Sequence, residues 1–160
     1  MMKCKWSLPG ILFFVGLLYA SGSVCAQGQA PADKPVEAKG NEQVKNFNEA
    51  IAPYVKKARE TLPEAKKRYL KGLPKGQQFF VTTKLYAPDG KFEQVFVKVT
   101  SWKKEEIKGL LASNVVMIPN HRRGEKTTCQ EADVLDWLIS KPDGSEEGNF
   151  VGKFLDTYQP

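Results

Sequence analysis

The hydrophobic positions follow two different periods, and the change falls near residue 76. Val44, Phe47, Ile51, Val55, Ala58 and Leu62 recur at steps of three or four, the apolar stripe of a helix. Ala65, Tyr69 and Leu73 extend the stripe and Gly72 supplies a stop. Pro53 and Pro63 fall inside it. Proline removes a donor and clashes with the turn before it, so the pattern predicts two consecutive helical pieces. Thr61-Leu62-Pro63-Glu64 has the form of a capping box for the second piece.

Past Gly76 the period becomes two. Gln78–Tyr86 is rich in aromatic and β-branched residues, as strands are. Pro88-Asp89-Gly90 supplies a turn. The next stretch alternates, with Val95, Val97 and Val99 on one face and Phe96, Thr100 and Trp102 on the other. A hairpin is expected here. Glu106–Leu111 reads as a third strand with Gly109 at a bend, and Lys126–Gln130 as a fourth. Between them an apolar run, 115–118, stops at Pro119. The densest apolar patch of the second half is 133–139, Asp-Val-Leu-Asp-Trp-Leu-Ile. It fits a helical turn or a fifth strand. Read as a helix, it turns Val134, Trp137 and Leu138 inward. Phe150–Leu155 closes the fold. The expected class is α+β: an N-terminal helical arm on a small, strongly bent antiparallel sheet, of which an SH3-like barrel is one form.

The N-terminus changes the domain picture. Lys3 and Lys5 precede an apolar stretch, Leu8 to Ala20, and then a small, weakly polar stretch, Ser21 to Ala26, that ends in Val24-Cys25-Ala26, the three zones of a secretory signal with cleavage after Ala26. Pro9 and Gly10 interrupt a stretch too short to span a bilayer. The expected destination is the periplasm or the exterior. The rival reading is a lipoprotein acylated on Cys25. Residues 27–43 are mostly Ala, Pro, Gly, Lys and Glu and are expected to be a flexible linker that buries nothing. One domain, 44–160, remains. The chain carries a formal charge of +6, and removing the leader leaves 22 basic against 18 acidic residues. The basic residues are scattered, whereas a nucleic-acid binder clusters them.

Beyond the leader Cys129 is the one cysteine and His121 the one histidine, too few for a structural zinc site. No cofactor motif is present. Cys129 lacks an activating neighbour in sequence and reads as a buried, inert thiol. Asn120-His121-Arg122-Arg123 is a compact basic loop suited to a carboxylate or phosphate. Asp133 and Asp136, three apart, are a second candidate pair, or caps.

From about residue 50 to 156 the chain resembles the bacterial YegJ-like family, domain of unknown function 2314. The residues carrying the resemblance are Ala58-Arg59-Glu60-Thr61-Leu62-Pro63, the hairpin around Asp89-Gly90, Asp133-Val134-Leu135-Asp136-Trp137-Leu138, Asp143-Gly144 and Val151-Gly152. The resemblance implies a small single domain and no defined reaction. The expectation is an exported, monomeric binding or interaction module for a protein or a small anion. The alternatives are a small hydrolase using His121 or the acids near Trp137, and an immunity-type inhibitor of a secreted toxin.

Overall fold

A computed structural model describes residues 27–32 and 40–158. The leader expected at 1–26 and the centre of the expected linker, 33–39, lie outside the described residues. Helix α1 (Gly40–Lys71) is a single element of 32 residues that contains both prolines, which corrects the expectation of two pieces. Each proline frees the carbonyl four residues back, Glu49 or Arg59, and all four residues are exposed. Water can satisfy the freed carbonyls, so the helix continues. The capping box does not form. The Thr61 hydroxyl donates backwards to the Lys57 and Ala58 carbonyls, at 3.0 and 3.1 Å, and Glu64 pairs with Lys67 at 3.1 Å.

Six strands follow: β1 (Gln78–Tyr86), β2 (Phe92–Lys103), β3 (Glu106–Leu111), β4 (Lys126–Gln130), β5 (Asp136–Ser140) and β6 (Glu146–Gly148). They form one antiparallel sheet in the order β4-β3-β2-β1-β5-β6. The sheet is open, with β4 and β6 at its edges, so no barrel closes. The class is α+β. A 3-10 turn (Glu131–Asp133) leads into β5, and a short helix α2 (Phe150–Leu155) follows β6. The ambiguous stretch 133–139 is therefore the end of a turn and then a strand. Alternation places Trp137 and Ile139 under α1 and Leu138 on the opposite face, which corrects the grouping of Leu138 with Trp137.

The core is the α1 face of the sheet. Ala58, Leu62 and Ala65 of the helix meet Phe79, Val81, Val95, Val97 and Trp137. Trp102 joins them, although strict alternation from Val99 would put it on the other side. A bulge explains the switch: Val99 pairs with Gly109 but Ser101 with Lys108, leaving Thr100 as an extra residue. A Cβ on Gly109 would overlap the Lys98 carbonyl and the Val97 side chain, so glycine is required beside the bulge.

The second face carries Phe80, Ala112 and Leu138, all buried, with Phe96 packed against them. Part of the expected linker lies on this face. Gly28 N donates to the Gly76 carbonyl at 2.6 Å, the Ser140 hydroxyl donates to the Gln29 carbonyl at 2.6 Å, and Ala30 joins the cluster. Gly28 and Pro31 are buried. Residues 27–32 are thus a docked strap, and α1 begins at Gly40 rather than near Val44. The expectation missed the strap because its contacts are made by main chain and small residues, which leave no periodicity.

Candidate functional site

The basic loop is built around an acid four residues from the histidine. Asn120 and Gly124 take positive φ, 70° and 86°. These turn the chain so that Gly124 N donates to the Leu111 carbonyl at 2.8 Å and Glu125 N to the Arg122 carbonyl at 3.1 Å. Glu125 then reaches back. One carboxylate oxygen lies 3.1 Å from His121 Nδ1, and the other accepts the Arg122 amide at 3.2 Å. The i,i+4 spacing of His121 and Glu125 is the sequence signal for this pair. Asn120, Arg122 and Arg123 are exposed and His121 is half-buried.

Asp133 and Asp136 have opposite environments. Asp133 is exposed, and its main-chain carbonyl accepts from the Thr83 hydroxyl at 3.2 Å. Asp136 is 1 % exposed. Its two oxygens accept from Trp137 N at 2.8 Å and Val151 N at 2.6 Å, so it joins the start of β5 to the first turn of α2. Burial pushes its carboxyl up to about 6, opposed by the amides of Val151, Trp137, Phe150 and Gly152. Asp136 is a structural cap. The strand β4 separates the basic loop from Asp133. Five residues at about 3.4 Å each set these two groups roughly 17 Å apart, so the six sequence candidates do not share a cleft. Cys129 on β4 is half-buried, and its thiol is pushed up to about 11, by burial first and by the Asp133 charge second. A thiol held protonated is a poor nucleophile. Among the described residues no group of three or more His, Cys, Asp and Glu could hold a metal ion. No described helix is long and apolar enough to cross a membrane.

The two flanks of α1 carry the other polar contacts. Lys66 pairs with Glu131 and also donates to the Lys104 carbonyl at 2.8 Å, while Trp102 Nε1 donates to the same Glu131 oxygen at 3.1 Å. Arg68 forms a two-pronged pair with Glu147 of β6. Arg59 donates to the carbonyls of Val134 and Ala132, at 3.1 and 3.2 Å. Three helix side chains therefore clamp α1 to the β4–β5 connection and to β6.

Beside Arg59 a shallow cleft of about 570 Å³ opens between α1 and the sheet. Its walls are Ile51, Ala52, Val55 and Leu135, with Asn48, Arg59 and Lys84 at the polar side. Lys84 makes no ion pair among the described residues. Its ammonium sits 4.1 Å from the centroid of Phe92, and desolvation lowers its pKa. Lys56 is also at the cleft but is paired with Glu60 at 4.0 Å. An apolar wall with an unpaired cation beside it suits an anion with an apolar body. Sequence reading missed this site because its parts come from α1, β1 and the turn before β5, with no local pattern joining them.

Residues 40–156 match the family model described as "Uncharacterized protein conserved in bacteria (DUF2314)". The chain belongs to this family. The match begins at the first residue of α1 and ends just after α2, so the family unit is the helix, the whole sheet and the closing helix. No curated protein and no solved structure matches the chain.

Proposed function

We propose that this member of the family is an exported binding module, and that the cleft beside α1 takes a small amphiphilic anion. The observation that carries the reading is Lys84, a partly desolvated ammonium in no ion pair among the described residues, at the edge of an apolar wall; Glu60, the acid that also lines the cleft, is paired with Lys56 at 4.0 Å. An anion placed there gains a charge-assisted contact with the ammonium, and its apolar body gains contact with the wall. The hydrolase alternative, with His121 or the acids near Trp137, has less support: β4 lies between His121 and Asp133, and Asp136 is buried. Export is supported by the basic start, the apolar stretch and the Val24-Cys25-Ala26 ending of the leader.

Calorimetric titration of the chain beginning at Gln27 with octanoate, and separately with octylamine, tests the cleft. Octanoate is expected to bind and the amine is not. Lys84→Met should weaken octanoate by about tenfold, some 1.4 kcal/mol. Equal binding by Lys84→Met, or no octanoate binding at all, overturns the reading. N-terminal sequencing from the cell envelope tests export: Gln27 is the expected first residue, and an acylated Cys25 overturns the cleavage site.

A further inference from the structure

The edge strand β4 ends the sheet with its outer hydrogen-bonding groups unclaimed. Residues 105 and 131 are joined by the Glu131 amide to the Glu105 carbonyl at 2.8 Å, and 111 and 125 by the Leu111 amide to the Glu125 carbonyl at 2.8 Å. In an antiparallel ladder the hydrogen-bonded pairs alternate. The β3–β4 register then makes Ile107–Cys129 and Gly109–Thr127 the bonded pairs. The amides and carbonyls of Lys126, Thr128 and Gln130 therefore point away from β3, and none has a partner among the described residues. The strand has no proline and no bulge to blunt it. It is also bracketed by positive charge. Arg122 and Arg123 stand before its first residue, Lys126 on it, and Lys103 and Lys104 at the turn beside its far end. All five are exposed, and none is in an ion pair among the described residues. Of the nearby acids, Glu106, Glu125 and Glu131 are engaged by Lys108, His121 and Lys66, leaving Glu105 and Asp133. We propose that the free edge of β4 takes up an extended acidic polypeptide segment as a seventh strand, its main chain pairing with Lys126, Thr128 and Gln130 and its carboxylates meeting the flanking cations.

Strand addition draws affinity from main-chain hydrogen bonds and selectivity from the side chains beside them. A second copy of this chain is the less suitable occupant, because it brings the same excess of positive charge. The cleft beside Lys84 plays no part, so this proposal and the octanoate reading can fail separately.

The test uses the chain beginning at Gln27 and two short fluorescein-labelled peptides. One alternates Glu with Val and Thr; the other carries Lys in place of Glu. Fluorescence anisotropy should show binding of the acidic peptide only, weakening as salt rises. On adding that peptide, amide exchange should slow at Lys126, Thr128 and Gln130, with little change at Thr127 and Cys129. Thr128→Pro removes an outward amide and leaves the β3–β4 ladder whole, so it should fold and lose about tenfold in affinity. If that variant does not fold, the pair Arg122→Glu and Arg123→Glu serves instead, with the same loss expected. Equal affinity for both peptides, undiminished binding by the variant tested, no binding, or slowed exchange that follows protein concentration without peptide would each overturn the proposal.

Discussion

At one edge of the sheet β6 has three residues and runs directly into α2; at the other, β4 has five and, among the described residues, no strand on its outer side. The β6 edge is finished by buried parts. Gly148 takes a φ of 80°, and a Cβ there would overlap the Trp137 carbonyl. Asn149 N donates to that same carbonyl at 2.8 Å, and Asp136 caps the first turn of α2. Val151 then seats against Phe47 and Ile51 of α1. The β4 edge alternates exposed and half-buried residues and presents charge. One sheet thus carries an edge built for stability and an edge left for contact. The difference lies in whether a later segment returns to cover the strand.

The largest expected effect is on the closed side. Trp137 is 5 % exposed, stacks on Phe79 at 6.0 Å between centroids, and meets Phe150 edge-on at 6.1 Å. Its indole N–H donates to the Ala58 carbonyl and the Thr61 hydroxyl at 3.2 and 3.0 Å. Trp137→Ala should cost about 3–5 kcal/mol in urea denaturation. A variant with unchanged stability would show that this edge is not the core.

Asp136 comes next. Asn in its place presents one acceptor and one donor to two amides, so Val151 N or Trp137 N loses its partner. The expected cost near pH 4 is about 1–3 kcal/mol. The pH dependence has a definite sign. The carboxyl titrates about 6 in the fold and near 3.8 when unfolded, so the folded state binds the extra proton between those values. The contribution is largest below the unfolded value and is lost as pH rises from about 4 to 6, at about 1.4 kcal/mol per unit. Asparagine does not titrate there, and the loss over the window is about as large as the cost of the substitution, so the wild-type urea midpoint should fall to that of Asp136→Asn or below it across the window and level off above it. A wild-type advantage that grows with pH would mean burial does not dominate.

The strap should matter less. Removing 27–32 forfeits one backbone–backbone hydrogen bond and one from the Ser140 hydroxyl, at about 1 kcal/mol each, and exposes part of the Phe80–Leu138 cluster. A loss of about 2 kcal/mol is expected. Gly28→Val should give a similar loss, because a Cβ there would stand 2.5 Å from the Ser140 carbonyl oxygen. An unchanged melting curve for either variant would return these residues to the status of a linker.

These cases show what the sequence made legible. The stripe of α1 and the β1–β2 hairpin were readable because period and local turn chemistry agree there. The prolines misled because their cost depends on whether water can reach the freed carbonyl, and Glu49 and Arg59 are exposed residues. The bulge at Thr100 has no signature in alternation, so Trp102 was placed on the wrong face. β6 is short, polar and defined by its partner β5. Of the site, the loop 120–123 was found because it is contiguous. Lys84 and Arg59 were not, since only the tertiary fold brings them to one cleft.

The smallest expected effect is at the open edge. Arg122 and Arg123 are exposed and in no ion pair among the described residues. What holds their loop is main chain and Glu125: Gly124 N to the Leu111 carbonyl, Glu125 N to the Arg122 carbonyl, and the Glu125 carboxylate on the Arg122 amide. None of these needs an arginine side chain. Arg122→Ala combined with Arg123→Ala should therefore change unfolding free energy by less than about 0.5 kcal/mol. Glu125→Ala should cost more, because it releases both His121 and the Arg122 amide. Urea titrations of the double variant and of Glu125→Ala, run side by side, compare the two. If the arginines proved the costlier loss, their side chains would be holding the fold together, and the β4 edge would be a stabilising surface like its counterpart at β6.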